Sequence, residues 1–103
     1  MLETWKPIFG GVYAVSSEGR VKRVMRGRGA SAGKILRPSI TQTGYYHIVL
    51  AANGTEKTKR VSDLVTHAFL GPRPPGLEIN HKNGIKTDDR RANLEYVTRS
   101  ENQ

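Results

Sequence analysis

The sequence contains no cysteine among its 103 residues. It therefore offers neither a disulfide framework nor a thiolate zinc site. Its three histidines, His47, His67 and His81, are too few for a structural zinc site unless carboxylates complete one. No run approaches the ~20 apolar residues that a membrane helix needs, and residues 1–10 lack the pattern of a secretory signal. These absences exclude disulfide-stapled and membrane-spanning classes and lead us to expect a cytoplasmic protein. Hydrophobic residues make up 36% of the chain, enough for one modest core or two small modules.

What is present in excess is positive charge, and it is segregated. Residues 1–61 carry eleven Lys/Arg and three Asp/Glu, whereas residues 62–103 carry six of each, so the whole net charge of +8 lies in the first part. A one-sided basic surface suits a polyanion, because neutralising phosphates releases condensed counterions. The alternative is a basic surface that only aids solubility. The candidate contacts are Arg20, Lys22 and Arg23 early in the chain, Arg26 and Arg28 in a Gly-rich stretch, and Lys57, Lys59 and Arg60 further on.

Along the chain, residues 5–11 read as a lead-in segment broken by Pro7 and Gly10-Gly11. "VYAVS" and "GRVKRV" read as short strands around a Ser17-Glu18-Gly19 turn. "RGRGASAGK" is Gly-rich and basic, but it lacks the spacing and strand–loop–helix context of a nucleotide-binding P-loop. "KILRPSI" reads as an edge or bent strand. "GYYHIVLAANGTEKTKRV" is the strongest hairpin signal, with Asn53-Gly54 as the tight turn. On its first arm Tyr46, Ile48 and Leu50 share the expected core face, and Tyr45, His47 and Val49 share the other. Lys57, Lys59 and Arg60 line the return arm, either as a basic ribbon for a DNA groove or as an ordinary exposed face. Ser62 is the expected N-cap of a helix whose stripe is Leu64, Val65, Ala68 and Phe69 and whose stop is Gly71. His67 beside that stripe reads as a packing or surface histidine.

Residues 77–81 and 94–97 read as two further strands, with Asn83-Gly84 as a turn and Asp88 capping a short turn through Arg91. Thr98-Arg99-Ser100-Glu101 has the capping-box pattern that starts a helix. In this strand–loop–strand–helix unit, Asn93 follows His81 by twelve residues and Asn102 follows it by twenty-one. A strand-end histidine under such a helix could place a general base beside a hard metal ion and a phosphate. Spacing alone leaves His81 open between that role and a turn-side histidine.

"EINHKNGIKTDDRRANLEYVT" (residues 78–98) resembles the HNH endonuclease motif of phage and group I intron homing enzymes. "RVSDLVTHAFLGPRPPG" resembles the helix and Pro-rich link that precede it, and "WKPIFGGVYAVSSEGRVKRV" the small DNA-binding module often found ahead of it. The resemblance implies an α+β fold: a small N-terminal antiparallel β module over residues 1–61, then a helix and a ββα-metal (HNH, His-Me finger) nuclease unit over residues 62–103. It implies cleavage of double-stranded DNA, as nicks, by a monomer or weak dimer using one divalent ion, Mg²⁺ or in its place Mn²⁺. It implies His81 as general base, Asn93 as brace of the loop and of the histidine, and Asn80 and Asn102 as metal ligands.

This chain departs from the resembling pattern at several points. Ser62-Asp63 stands where His-Arg is usual, Asp88-Asp89 where Asn-Asn is usual, and Tyr96 where Trp is common. The double Asp is expected to add negative charge near the site, either holding metal or repelling the backbone. The alternative is a non-catalytic DNA-binding protein that keeps a degenerate HNH fold. A small RNA-associated domain is the third reading, and no aromatic RNA-binding motif supports it.

Overall fold

Trp5–Ile8 (β1) pairs antiparallel with Tyr13–Ser16 (β2), which pairs antiparallel in turn with Val21–Arg23 (β3). The computed structural model that gives this arrangement describes residues 2–25 and 32–101. Arg26, Arg28 and Asn102, three of the expected contact and ligand positions, lie outside the described residues. Flanked on both sides, β2 is buried along its whole length. The lead-in segment is thus a strand rather than an irregular approach. Pro7 fits because β1 is an edge strand, where a missing ladder N–H is tolerated. Gly10 and Gly11 do break it, in a short 3₁₀ turn at Phe9–Gly11.

A second sheet follows: Ser39–Ile40 (β4), Tyr46–Ala52 (β5) and Thr55–Arg60 (β6), in that order and antiparallel. Asn53 and Gly54 both hold positive φ, 51° and 75°, the pair a tight two-residue hairpin turn requires. Ile48 and Leu50 are buried and Tyr46 packs on the core, whereas Val49 is exposed, as the alternation predicts. The helix Val61–Leu70 (α1) leaves β6 with no loop between them. Its N-cap is Arg60, which provides no side-chain cap. Ser62 is not the cap: it is buried one position inside the helix, and its carbonyl accepts a 2.9 Å bond from the Thr66 hydroxyl. The direct strand-to-helix passage leaves no room for a capping residue at position 62. Val61 and Val65 are fully buried, with Leu64, Ala68 and Phe69 packed beside them, and Gly71 ends the helix at φ 89°.

Leu77–His81 (β7) and Leu94–Thr98 (β8) form a third, two-stranded sheet. Thr98 and Glu101 make the reciprocal capping box, Thr98 N to Glu101 Oε1 at 2.8 Å and Glu101 N to Thr98 Oγ1 at 3.2 Å. Tyr96 does more than fill space where Trp is usual, because its hydroxyl donates to the Gly71 carbonyl at 2.7 Å and ties β8 to the end of α1. This composition of antiparallel strands and one helix is an α+β fold. One apolar cluster unites it: Tyr13, Val15 and Val21 meet Ile48, Leu50, Val61, Val65 and Leu94, so residues from both parts of the chain share one core. None of the described residues belongs to a helix long and apolar enough to cross a membrane.

Leu50 sits where the second sheet meets α1 and is 1% exposed. Leu50→Ala should lower unfolding stability by about 2–5 kcal/mol, read from urea denaturation, since the cavity it leaves is walled by separate elements.

Candidate active site

His81 closes β7, and the two-residue period of a strand decides what it faces. Its register partner is Leu94 of the core, while Asn80 is opposite Glu95. His81 and Asn80 therefore leave β7 on opposite faces. Asn80 Nδ2 donates to Glu95 Oε2 at 2.8 Å. His81 turns inward, 8% exposed, and its Nε2 lies 2.8 Å from Asp89 Oδ1. The Tyr45 ring packs on the imidazole, with 5.7 Å between centroids and 43° between planes.

The loop from β7 to β8 is knit by Asn93, which ends a 3₁₀ turn at Arg91–Asn93. Asn93 Oδ1 accepts from Asn83 N at 3.1 Å. Its Nδ2 donates to Asn83 Oδ1 at 3.0 Å and to the Asp88 carbonyl at 2.9 Å. Asn93 is 5% exposed and has no hydrogen bond to His81, so it braces the loop and reaches the histidine only through it. The N-cap of the 3₁₀ turn is Arg90, whose backbone N is 3.5 Å from Asp88 Oδ1. The Asp88 carboxylate accepts from Arg90 Nε at 2.7 Å and from Asn83 Nδ2 at 2.7 Å. The neighbouring Asp89 is 4% exposed, and its Oδ2 has no hydrogen-bond partner among the described residues. Burial pushes the Asp89 carboxyl above the ordinary carboxylate range, against the opposing hydrogen bond with His81. The double Asp thus brings two carboxyl groups to the site, each with a partner. One carboxylate clasps the loop and the other is committed to His81.

Residues from the first part of the chain wall this site. The Arg60 guanidinium lies 4.0 Å from the Tyr45 centroid and the Lys86 ammonium 5.2 Å from it. Lys86 Nζ also donates to the Thr43 carbonyl at 3.0 Å. The β2–β3 turn presses on the loop from the other side: Arg91 N donates to the Ser17 carbonyl at 2.8 Å. Tyr45, Lys86 and the His81 partnership of Asp89 were not among the residues the sequence singled out. Only the acidic pair at Asp88-Asp89 signalled any of them in advance.

The basic residues separate by geometry. Arg60 is opposite His47, whereas Lys59 is opposite Ile48 and Lys57 opposite Leu50. Lys57 and Lys59 are exposed on one face of β6, and Arg60 belongs to the other, with Tyr45. The return arm is therefore not one basic ribbon. Arg20 pairs with Glu3, its Nε 2.9 Å from Oε2, and Arg23 donates to the Met25 carbonyl at 2.7 Å and to the Tyr13 hydroxyl at 3.0 Å. The Lys22 ammonium sits 4.1 Å from the Trp5 centroid.

For a hard cation, the described donors are the Asn80 amide oxygen, oriented by the bond from its own Nδ2 to Glu95, and the Glu95 carboxylate beside it. Such oxygen donors fit Mg²⁺, which needs few protein ligands when substrate phosphate supplies another. No group of three or more His, Cys, Asp and Glu is placed to hold a metal among the described residues.

Residues 59–103 match the family model described as HNH endonuclease, and residues 3–51 match the NUMOD4 motif. Residues 59–103 belong to the HNH endonuclease family. It is 36% identical over 100 residues to the DNA endonuclease I-HmuI of Bacillus phage SP01, covering 95% of this chain and 54% of that protein. It is 32% identical over 103 residues to an uncharacterized HNH endonuclease, L245, of Acanthamoeba polyphaga mimivirus, covering 99% of this chain and 29% of the relative. Among solved structures, the HNH homing endonuclease I-HmuI, in a study of its DNA binding and cleavage, matches with a TM-score of 0.81 and 36% identity. That match covers 96% of this chain and 55% of the other. The chain therefore spans about half the length of I-HmuI, and less of L245.

The Arg90 guanidinium holds the Asp88 carboxyl well below the ordinary value of 3.8; burial opposes it and the Asn83 amide assists. A depressed carboxylate stabilises the loop at all pH above its ordinary value and loses that contribution only as pH falls through the lowered one. The ¹³C titration of Asp88 should accordingly show no midpoint near 3.8. Arg90→Ala should move the midpoint up toward that range, and an unmoved midpoint would show that Arg90 is not the cause.

Proposed function

We propose that this HNH protein is a metal-dependent DNA endonuclease that nicks double-stranded DNA, with His81 as general base. The observation that carries this reading is a strand-end histidine held on a loop that Asn93 knits together, in a chain whose residues 59–103 match the HNH endonuclease model. The I-HmuI likeness supports DNA as the substrate.

In this mechanism the His81 imidazole takes the proton of the attacking water, a task suited to imidazole near neutral pH. Asn93 keeps the loop, and with it the histidine's surroundings, in one shape. Arg60 and Lys86, gathered on the Tyr45 ring, face the negative charge that develops on the phosphoryl oxygens. Asn80, with Asn102, would hold a divalent ion, Mg²⁺ or Mn²⁺, whose Lewis acidity stabilises charge on phosphoryl and leaving oxygens. Residues 1–61 supply the basic surface and residues 62–103 the chemistry, with Tyr45 and Arg60 of the first part serving the site of the second. The protein acts as a monomer or weak dimer, in the cytoplasm of a bacterial or phage-infected cell.

One observation favours a second reading, a DNA-binding protein with a silent site. His81 is 8% exposed, and one ring nitrogen is already engaged with Asp89. Supercoiled plasmid separates the two. With Mg²⁺ or Mn²⁺ it should convert to open circle, and EDTA should abolish the conversion. His81→Ala should lower the rate by about a hundredfold or more. Plasmid binding without nicking in either metal would establish the silent site.

The split of the basic residues gives a second test. Arg60→Ala should weaken DNA binding and reduce the slope of log K against log salt by about 0.9, the value of one phosphate contact. Lys57→Ala with Lys59→Ala should leave nicking at saturating DNA unchanged, because those side chains leave β6 on the face away from His81. A loss of saturated turnover in that double variant would place the cleaved phosphate elsewhere.

A further inference from the structure

One contact in the site joins two buried side chains, Asp89 and His81. Asp89 Oδ1 lies 2.8 Å from His81 Nε2. The two side chains are 7% and 3% exposed. His81 Nδ1 has no hydrogen bond to a described residue. The Tyr45 ring lies against the imidazole and limits its rotation.

The position of Asp89 is itself imposed from outside the loop. Gly19, at φ +82°, brings the β2–β3 turn so close that a Cβ there would stand 3.0 Å from both the carbonyl carbon and the carbonyl oxygen of Asp89. Only glycine permits that approach without displacing backbone. The Ser17 carbonyl then fastens the same turn to Arg91. Asp89 is thus backed by the first sheet and points at the histidine.

A carboxylate and an amide differ in one respect that matters here. An ionised carboxylate only accepts, whereas an amide can present either its oxygen or its NH₂ group. Facing Asp89, the neutral imidazole must carry its proton on Nε2, which leaves Nδ1 as the accepting atom. An asparagine could donate to Nε2 and trap the opposite tautomer. Asp89 achieves this with one oxygen, and its other oxygen lies buried with no partner among the described residues. Such an atom lowers stability, so a position serving packing alone would favour the amide.

We infer that Asp89 is a positioning residue for His81: it fixes the imidazole in the Nε2–H tautomer, with Nδ1 as the proton acceptor, and the Gly19 turn holds it in place. The inference rests on the reading of His81 as the general base. The corresponding arrangement in serine proteases loses about 10⁴ in kcat when its aspartate becomes asparagine, because the tautomer is wrong.

The experiment uses the full chain labelled with ¹⁵N-histidine. Long-range ¹H–¹⁵N spectra, taken at a pH where the imidazole is neutral, should show His81 of the parent protonated at Nε2. Asp89→Asn should shift population to Nδ1–H. It should also lower saturated nicking turnover by about a hundredfold with little change in KM for plasmid, and unfold at a temperature no lower than the parent. Gly19→Ala should produce the same tautomer change in weaker form. Failure of either the tautomer or the turnover to change in Asp89→Asn overturns the inference. So does a lowered unfolding temperature with parental turnover and tautomer, the result of a purely structural pairing. If His81→Ala nicks like the parent, the general-base reading fails instead, and the tautomer spectra report on Asp89 independently of that outcome.

Discussion

The bonds that Asn93 makes to Asn83 and to the Asp88 carbonyl are the constraint on which the rest of the site depends. They close the loop between β7 and β8 across its width. With the bonds of the Asp88 carboxylate to Asn83 and Arg90, and of Asp88 N to the Ile85 carbonyl, they fix the backbone of a segment that has no sheet or helix of its own beyond one 3₁₀ turn. A buried amide can do this because it offers donors and an acceptor in one rigid plane, and each finds a partner here. The motif's central asparagine thus acts through architecture: it shapes the loop that carries Asp89, and Asp89 meets His81.

That loop is also pressed from two sides by the first part of the chain. Gly19 and Ser17 touch it at Asp89 and Arg91, and Thr43 receives Lys86. The apolar cluster follows the same logic, with Val15 and Val21 in one core with Val65 and Leu94. A basic module joined only by a tether would contribute charge and nothing more. This one contributes two walls of the site, Tyr45 with Arg60 and the β2–β3 turn. A change in the first sheet is therefore expected to be felt at the histidine as well as on the surface.

Legibility in the sequence followed the range of the interactions. The Asn53-Gly54 turn, the alternation along β5 and the α1 stripe are each specified within a few residues and present as read, and the Thr98–Glu101 box makes its two bonds, with residues 99–101 in a turn. The β1 strand was hidden because its pairing with β2 outweighs Pro7 and the two glycines after it. Ser62 misled because a good capping residue was placed one step inside a helix that begins straight from a strand. Lys57 and Lys59 are neighbours of Arg60 in sequence, yet strand alternation sends them to the other face. The Tyr45–His81 and Gly19–Asp89 contacts join distant segments, and no local pattern encodes them.

Strand alternation has a final consequence for how the site must work. Asn80 and His81 are adjacent in sequence but leave β7 on opposite faces, one toward Glu95 and the other toward Asp89 and Tyr45. In the proposed mechanism the base at His81 and the ligand at Asn80 are thereby kept apart, each with its own carboxylate partner. A base sharing one face with a cation would have its lone pair drawn to the metal rather than to a proton. The proposed mechanism avoids that competition by placing the two on opposite sides of a strand end. On that mechanism the phosphate meets both around the end of β7, the edge where Arg60 and Lys86 gather on the Tyr45 ring.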